Sequence, residues 1–75
     1  MTLGDMQVGE TGRVTGFEAG GRSYRKKLLA MGLTRGTPFT VNRVAPMGDP
    51  VEISLRGFRL TVRRDEAVVV LVERL

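Results

Sequence analysis

The 75-residue chain contains no cysteine and no histidine. Disulfides are excluded, as is a zinc site of the usual Cys/His kind, and a small domain without disulfides suits a reducing compartment. Aromatic residues are scarce, with three Phe, one Tyr and no Trp, which leaves little material for the stacking platforms of single-strand nucleic-acid binders. The longest apolar run, residues 67–72, is too short to cross a bilayer. The opening MTLGDMQVGE has neither the basic region nor the apolar core of a signal peptide. These absences predict one soluble, cytosolic domain spanning residues 1–75, near the lower size limit for a single core.

Catalytic chemistry is equally short of parts. Without His or Cys, a nucleophile–base pair would have to combine Ser or Thr with Lys. Ser23 and Ser54 already have structural places, at a helix cap and on a strand face. No glycine-rich phosphate loop occurs, because Gly12 to Gly16 falls within a strand and opens no helix. The carboxylates are scattered except for Asp65-Glu66, neighbours that read as helix-capping or solvating groups. The expectation is a protein that is not an enzyme, with no catalytic residue, no metal-ligand set and no cofactor.

What the chain does carry is positive charge. Its formal net charge is +4 with a pI near 10.7, mostly from arginine, which favours acidic or polyanionic partners. Arg22, Arg25 and Lys26 cluster on one side of a helix, and Arg35 follows it. Together they form a candidate basic face, with a solvated surface as the alternative.

Glycines between short apolar stretches give the rhythm of a small all-β domain. Gly9, Gly12 and Gly16 punctuate a first strand around residues 13–17, which should therefore be bent. One helix follows, with Ser23 as the predicted N-cap and Gly32 at C′. That assignment puts Leu33 against Leu28 in a Schellman end. Tyr24, Leu28 and Met31 form its apolar stripe. In VEISLRGFRLTV, a two-residue turn at Arg56-Gly57 pairs Leu55 with Phe58, Ile53 with Leu60 and Val51 with Val62, and a one-residue slip would send half of these to the wrong face. Phe17, Phe39 and Phe58 are all expected in the core. Residues 64–67 read as one helical turn and residues 68–72 as a closing strand buried on both sides. The predicted fold is all-β with a small α insertion, an SH3-like, partly open barrel of five strands with one short helix between the first two.

The segment RVAPMGDPVEI contains a loop that is apolar for its place. Asp49 and Pro50 are turn and strand-start devices. Ala45, Pro46 and Met47 are not explained by turn chemistry. Met is a soft residue common at adaptable contact surfaces, so these three, with Leu33 at the helix exit, are a candidate docking surface. The alternative is a loop folded back over the core.

The opening LGDMQVGETGRVTGF, the central RKKLLAMGLTRGTPFTVNRVAPMGDPVEI and the ending LRGFRLTVRRDEAVVVLV together resemble the FeoA family, small accessory proteins of bacterial ferrous-iron uptake. The resemblance covers nearly the whole chain and implies an SH3-like barrel with an inserted helix, in agreement with the strand reading. It also implies a partner, the FeoB membrane permease with its cytosolic GTP-binding part, which would hold this protein in the cytoplasm or at the inner face of the membrane. Two roles follow, a protein-interaction module that modulates the permease, or a GTPase-activating protein supplying an arginine finger from Arg35 or Arg22. Non-specific binding of nucleic acid through the basic charge is a third reading; a specific nucleic-acid partner is not expected, and self-association is left open.

Overall fold

The computed structural model describes residues 1–75. Its elements are β1 (Thr11–Phe17), α1 (Arg22–Ala30), β2 (Pro38–Val44), β3 (Val51–Leu55), β4 (Phe58–Val62), α2 (Arg64–Ala67) and β5 (Val70–Arg74), with short 3-10 turns at Leu3–Asp5 and Pro46–Gly48. The strands form one antiparallel sheet in the order β4-β3-β2-β1-β5. The outer edge of β4 is open, whereas that of β5 is partly covered by the N-terminal residues, through a Thr2–Leu71 bridge and a Val72 amide that donates to the Met1 carbonyl at 3.0 Å.

The β3–β4 hairpin has the register that alternation demands, with Val51, Ile53 and Leu55 opposite Val62, Leu60 and Phe58. Both turn residues take positive φ, 49° at Arg56 and 83° at Gly57, as a tight two-residue turn needs. Arginine is strained there, but its Nη2 donates to the Thr34 and Thr37 hydroxyls, each at 3.1 Å. The side chain thus staples the hairpin to the loop before β2, an interaction that offsets the strain. The β1 bend is also present, as a register shift against β5 between Val14 and Gly16.

The helix ends as its sequence dictates. Gly32 has φ of +102°, and the Leu33 and Gly32 amides donate to the Leu28 and Leu29 carbonyls at 3.0 and 3.1 Å, the two bonds of a Schellman motif. Its start differs from the prediction. Gly21, not Ser23, is the N-cap, and Ser23 is exposed in the first turn. A Cβ at Gly21 would lie 2.7 Å from the Cβ of Val69. The close approach of the chain to the start of β5 therefore places the helix, and no capping side chain is involved.

The core gathers Leu3, Met6, Val14, Leu28, Leu33, Phe39, Val41, Val51, Ile53, Leu55, Val62, Ala67, Val70 and Val72, with Tyr24, Met31 and Phe17 packed partly against it. Two expectations fail at the edges of the sheet. Phe58 is 45% exposed because β4 is an outer strand with no further strand beside it. The last strand begins at Val70, not Val68, and alternates in burial. Val68 and Val69 still donate to the Arg64 and Glu66 carbonyls at 3.1 and 3.2 Å, so the α2 turn extends two residues further and leaves Val68 exposed.

Candidate functional site

Three features of the surface stand apart from the core. The first is the β2–β3 loop. Ala45 accepts from the Gly48 amide at 2.9 Å and donates to the Pro50 carbonyl at 3.0 Å, closing the loop at its base. Within it Met47 adopts φ of 66°, a left-handed conformation that disfavours side chains with a Cβ. Its side chain is 87% exposed, Pro46 beside it is exposed and Ala45 is half-buried. The loop is therefore not folded back over the core. Leu33 does not join this surface. It is fully buried, held beneath the helix end by the Schellman geometry. The helix exit faces Leu55 and Phe58, whereas the loop enters β3 at the Val51 end, roughly 13 Å away along a five-residue strand.

The second feature is a basic groove. Arg22, Arg25 and Leu29 stand at i, i+3 and i+7 on one flank of α1, beside the apolar stripe. Arg25 and Leu29 line a shallow groove of about 370 Å³ with Gly16, Phe17 and Arg35. Arg22 and Arg25 line an adjoining one of about 240 Å³ with Phe17, Glu18 and Ala19. The Arg35 Nε donates to the Thr15 carbonyl at 2.9 Å, which anchors that side chain to β1. Three of the four predicted basic residues thus surround Phe17. Lys26 is exposed but lines neither groove.

The third feature was not visible in the sequence. Glu66 is buried, 3% exposed, and its Oε2 accepts from the Lys27 Nζ at 2.5 Å, while its Oε1 accepts from the Arg63 amide at 3.0 Å. The predicted capping role is present, and the ion pair that ties α1 to α2 is an addition to it. The Lys27 hydrogen bond is the largest influence on the carboxyl; it outweighs the opposing desolvation and holds Glu66 below its ordinary pKa of 4.5. Lys27 and Glu66 border a polar cavity of about 270 Å³ with Asp49, Pro50, Thr61 and Arg63. Asp49 Oδ1 accepts from the Arg64 amide at 3.2 Å, so the loop and α2 are joined as well.

Nowhere do three or more Asp or Glu side chains converge to hold a metal ion. With imidazole and thiolate absent from the chain, ferrous iron lacks the nitrogen and sulfur donors that confer tight binding. Anaerobic titration of the isolated chain with ferrous iron should therefore show only weak binding. Saturation at low micromolar iron with a defined stoichiometry would contradict this.

The fold has counterparts among known proteins. A fusion protein of Porphyromonas gingivalis, combining Fe(2+) transport protein A with the Fe(2+) transporter FeoB, is 32% identical over 73 residues, 97% of this chain. The chain spans only 8% of that relative's length. The solution structure of a FeoA-like protein from Clostridium acetobutylicum is 36% identical, with a TM-score of 0.90 over the whole of this chain and 86% of the other. The zinc-complexed FeoA of Stenotrophomonas maltophilia, described as a procaryotic SH3 domain protein, shares the fold at 21% identity, with a TM-score of 0.81 over 97% of this chain and 89% of that one. The FeoA domain model matches residues 1–74, and the chain belongs to the FeoA family of ferrous-iron transport domains.

Proposed function

We propose that this domain is a cytosolic accessory protein that modulates bacterial ferrous-iron uptake by docking on the cytosolic part of a FeoB-type permease. The observation that carries this reading is the Porphyromonas gingivalis fusion, in which a homologous domain and the transporter share one polypeptide. Covalent linkage raises the effective concentration of two modules that work together. No helix of this chain is long and apolar enough to cross a membrane, so contact with the permease would take place outside the bilayer. The docking patch is the β2–β3 loop, where Met47 combines near-complete exposure with a strained backbone. Strain of this kind persists where the surroundings over-determine it and often marks a functional position. A loop closed by its own hydrogen bonds also loses little further entropy on binding.

A pull-down of the permease's cytosolic part by this chain, with and without a GTP analogue, tests the reading. Retention in at least one nucleotide state is expected, and failure in both would overturn it. Met47→Asp should leave thermal stability within about 0.5 kcal/mol of the parent, as surface changes do. It should nevertheless weaken retention, because a carboxylate buried unpaired in an apolar contact is costly. If the variant unfolds, the residue belongs to the core; if retention is unchanged, the loop is only a turn.

A further inference from the structure

The arginine groove has no role in the reading above, and its chemistry specifies an occupant. We propose that the groove between the end of β1 and α1 binds an acidic peptide segment of the partner, with carboxylates on Arg22, Arg25 and Arg35 and an apolar side chain on Phe17 and Leu29. The proposal rests on the reading that this domain docks on another protein, and it adds a second contact of stated chemistry.

Charge complementarity is the main argument. The three ion pairs of the domain use Arg13, Lys27 and Arg74, so none of the three groove arginines has a carboxylate partner in the chain. Arg35 is also oriented. Its Nε bond to Thr15 fixes the guanidinium beside the groove, and its Nη donors have no hydrogen-bond partner within the chain. A planar guanidinium with free donors matches a carboxylate bidentately. Gly16 lines the same groove, and a Cβ there would lie 3.5 Å from the Arg35 Nη2, so the guanidinium lies against the β1 backbone. The apolar part of the lining comes from Phe17, Leu29 and Ala19, with Leu29 37% exposed.

Two observations favour a peptide over a nucleic acid. Phe17 is the only aromatic side chain lining the grooves, and it is half-buried, whereas single-strand binders stack successive bases on exposed rings. Glu18 lines the adjoining groove, where it would oppose a continuous phosphate backbone. A peptide with discrete carboxylates on either side of an apolar residue avoids that repulsion.

The test uses the intact chain and a fluorescein-labelled, end-capped hexapeptide, Glu-Glu-Leu-Phe-Glu-Glu, with its all-glutamine counterpart as control. Anisotropy at about 0.15 M ionic strength, where the Debye length is about 8 Å, should show the acidic peptide binding at least about tenfold more tightly than the control, the worth of one charge-assisted hydrogen bond. The triple variant Arg22→Gln/Arg25→Gln/Arg35→Gln should lose binding by a similar factor. Removal of three exposed arginines elsewhere, Arg43→Gln/Arg59→Gln/Arg64→Gln, should change it by no more than about twofold, the weak residual effect of distant screened charge. Because Arg35 also bonds the β1 backbone, Arg22→Gln/Arg25→Gln serves as a second groove variant whose melting temperature should match the parent's. Equal losses from groove and distant variants would show that net charge alone attracts the peptide and would overturn the proposal. Displacement of the peptide by a twelve-residue thymidine oligonucleotide at lower concentration than by unlabelled peptide would also overturn it, in favour of a phosphate-reading groove. If the parent chain binds the peptide but not the permease's cytosolic part, the groove stands and the docking reading fails. If the groove variants bind the permease as the parent does, the docking reading stands and the groove proposal fails.

Discussion

The Ile53→Ala chain should lose roughly 2–5 kcal/mol of stability, the range for truncating a large side chain in a closed core. Ile53 is fully buried and sits at the centre of β3, paired with Val41 on one side and Leu60 on the other. A cavity there is bordered by backbone on both flanks, which limits collapse. For 75 residues the whole stability is only about 4–11 kcal/mol, so the variant should melt roughly 10–30 °C below the parent. Circular dichroism melts check this. A fall of only a few degrees would mean that Ile53 faces solvent and that the hairpin register is wrong.

Lys27→Met should cost about 1–3 kcal/mol at pH 7 for leaving a buried charged group without its partner. Lys27 is itself half-exposed, whereas the Glu66 side chain is almost wholly enclosed. Loss of the lysine therefore leaves the carboxylate with only the amide and the charge of Arg63. In the parent, the folded-state pKa of Glu66 lies below its ordinary 4.5. Its ionised form thus contributes stability that is fully present above that value and fades as pH falls through the folded pKa. In Lys27→Met that contribution shrinks, because the hydrogen bond and charge of Lys27 are gone and only the Arg63 amide and charge oppose desolvation. The gap between parent and variant, read from urea unfolding, should be widest at pH 7 and shrink as pH falls below 4.5 through the folded pKa of Glu66. Lys27→Met/Glu66→Gln should regain part of the loss, since the neutral amide still accepts from Arg63. A gap that does not change with pH would show that Glu66 is not the group left stranded.

The hairpin, the helix exit and the α2 turn were legible in the sequence because each depends on spacing within about ten residues. Period-two alternation set the pairs around Arg56-Gly57, and Gly32 marked the Schellman end. That same motif carried a signal that would have placed Leu33 correctly, since a C″ residue packed against C3 is drawn under the helix and cannot also form a docking surface. The basic face was visible as composition, and the i, i+3, i+7 spacing of Arg22, Arg25 and Leu29 could have shown which flank they share. Its assembly with Arg35 around Phe17 depends on the path of the chain into β2, which local pattern does not encode. The Lys27–Glu66 pair joins residues 39 apart and left no trace beyond a capping position. Phe58 illustrates another limit. Alternation assigns a residue to a face of the sheet, but its burial depends on whether another strand lies beyond it, and β4 has none.

The rate of ferrous-iron uptake, measured under anaerobic conditions in four strains with and without this chain and with and without the permease, tests most directly whether the domain works through the permease. Removal of the chain should change uptake when the permease is present, and should have no effect when the permease is absent. A contribution to uptake that persists without the permease would contradict this and point to an independent role in handling iron; an uptake rate that is the same with and without the chain in permease-containing cells would also contradict it.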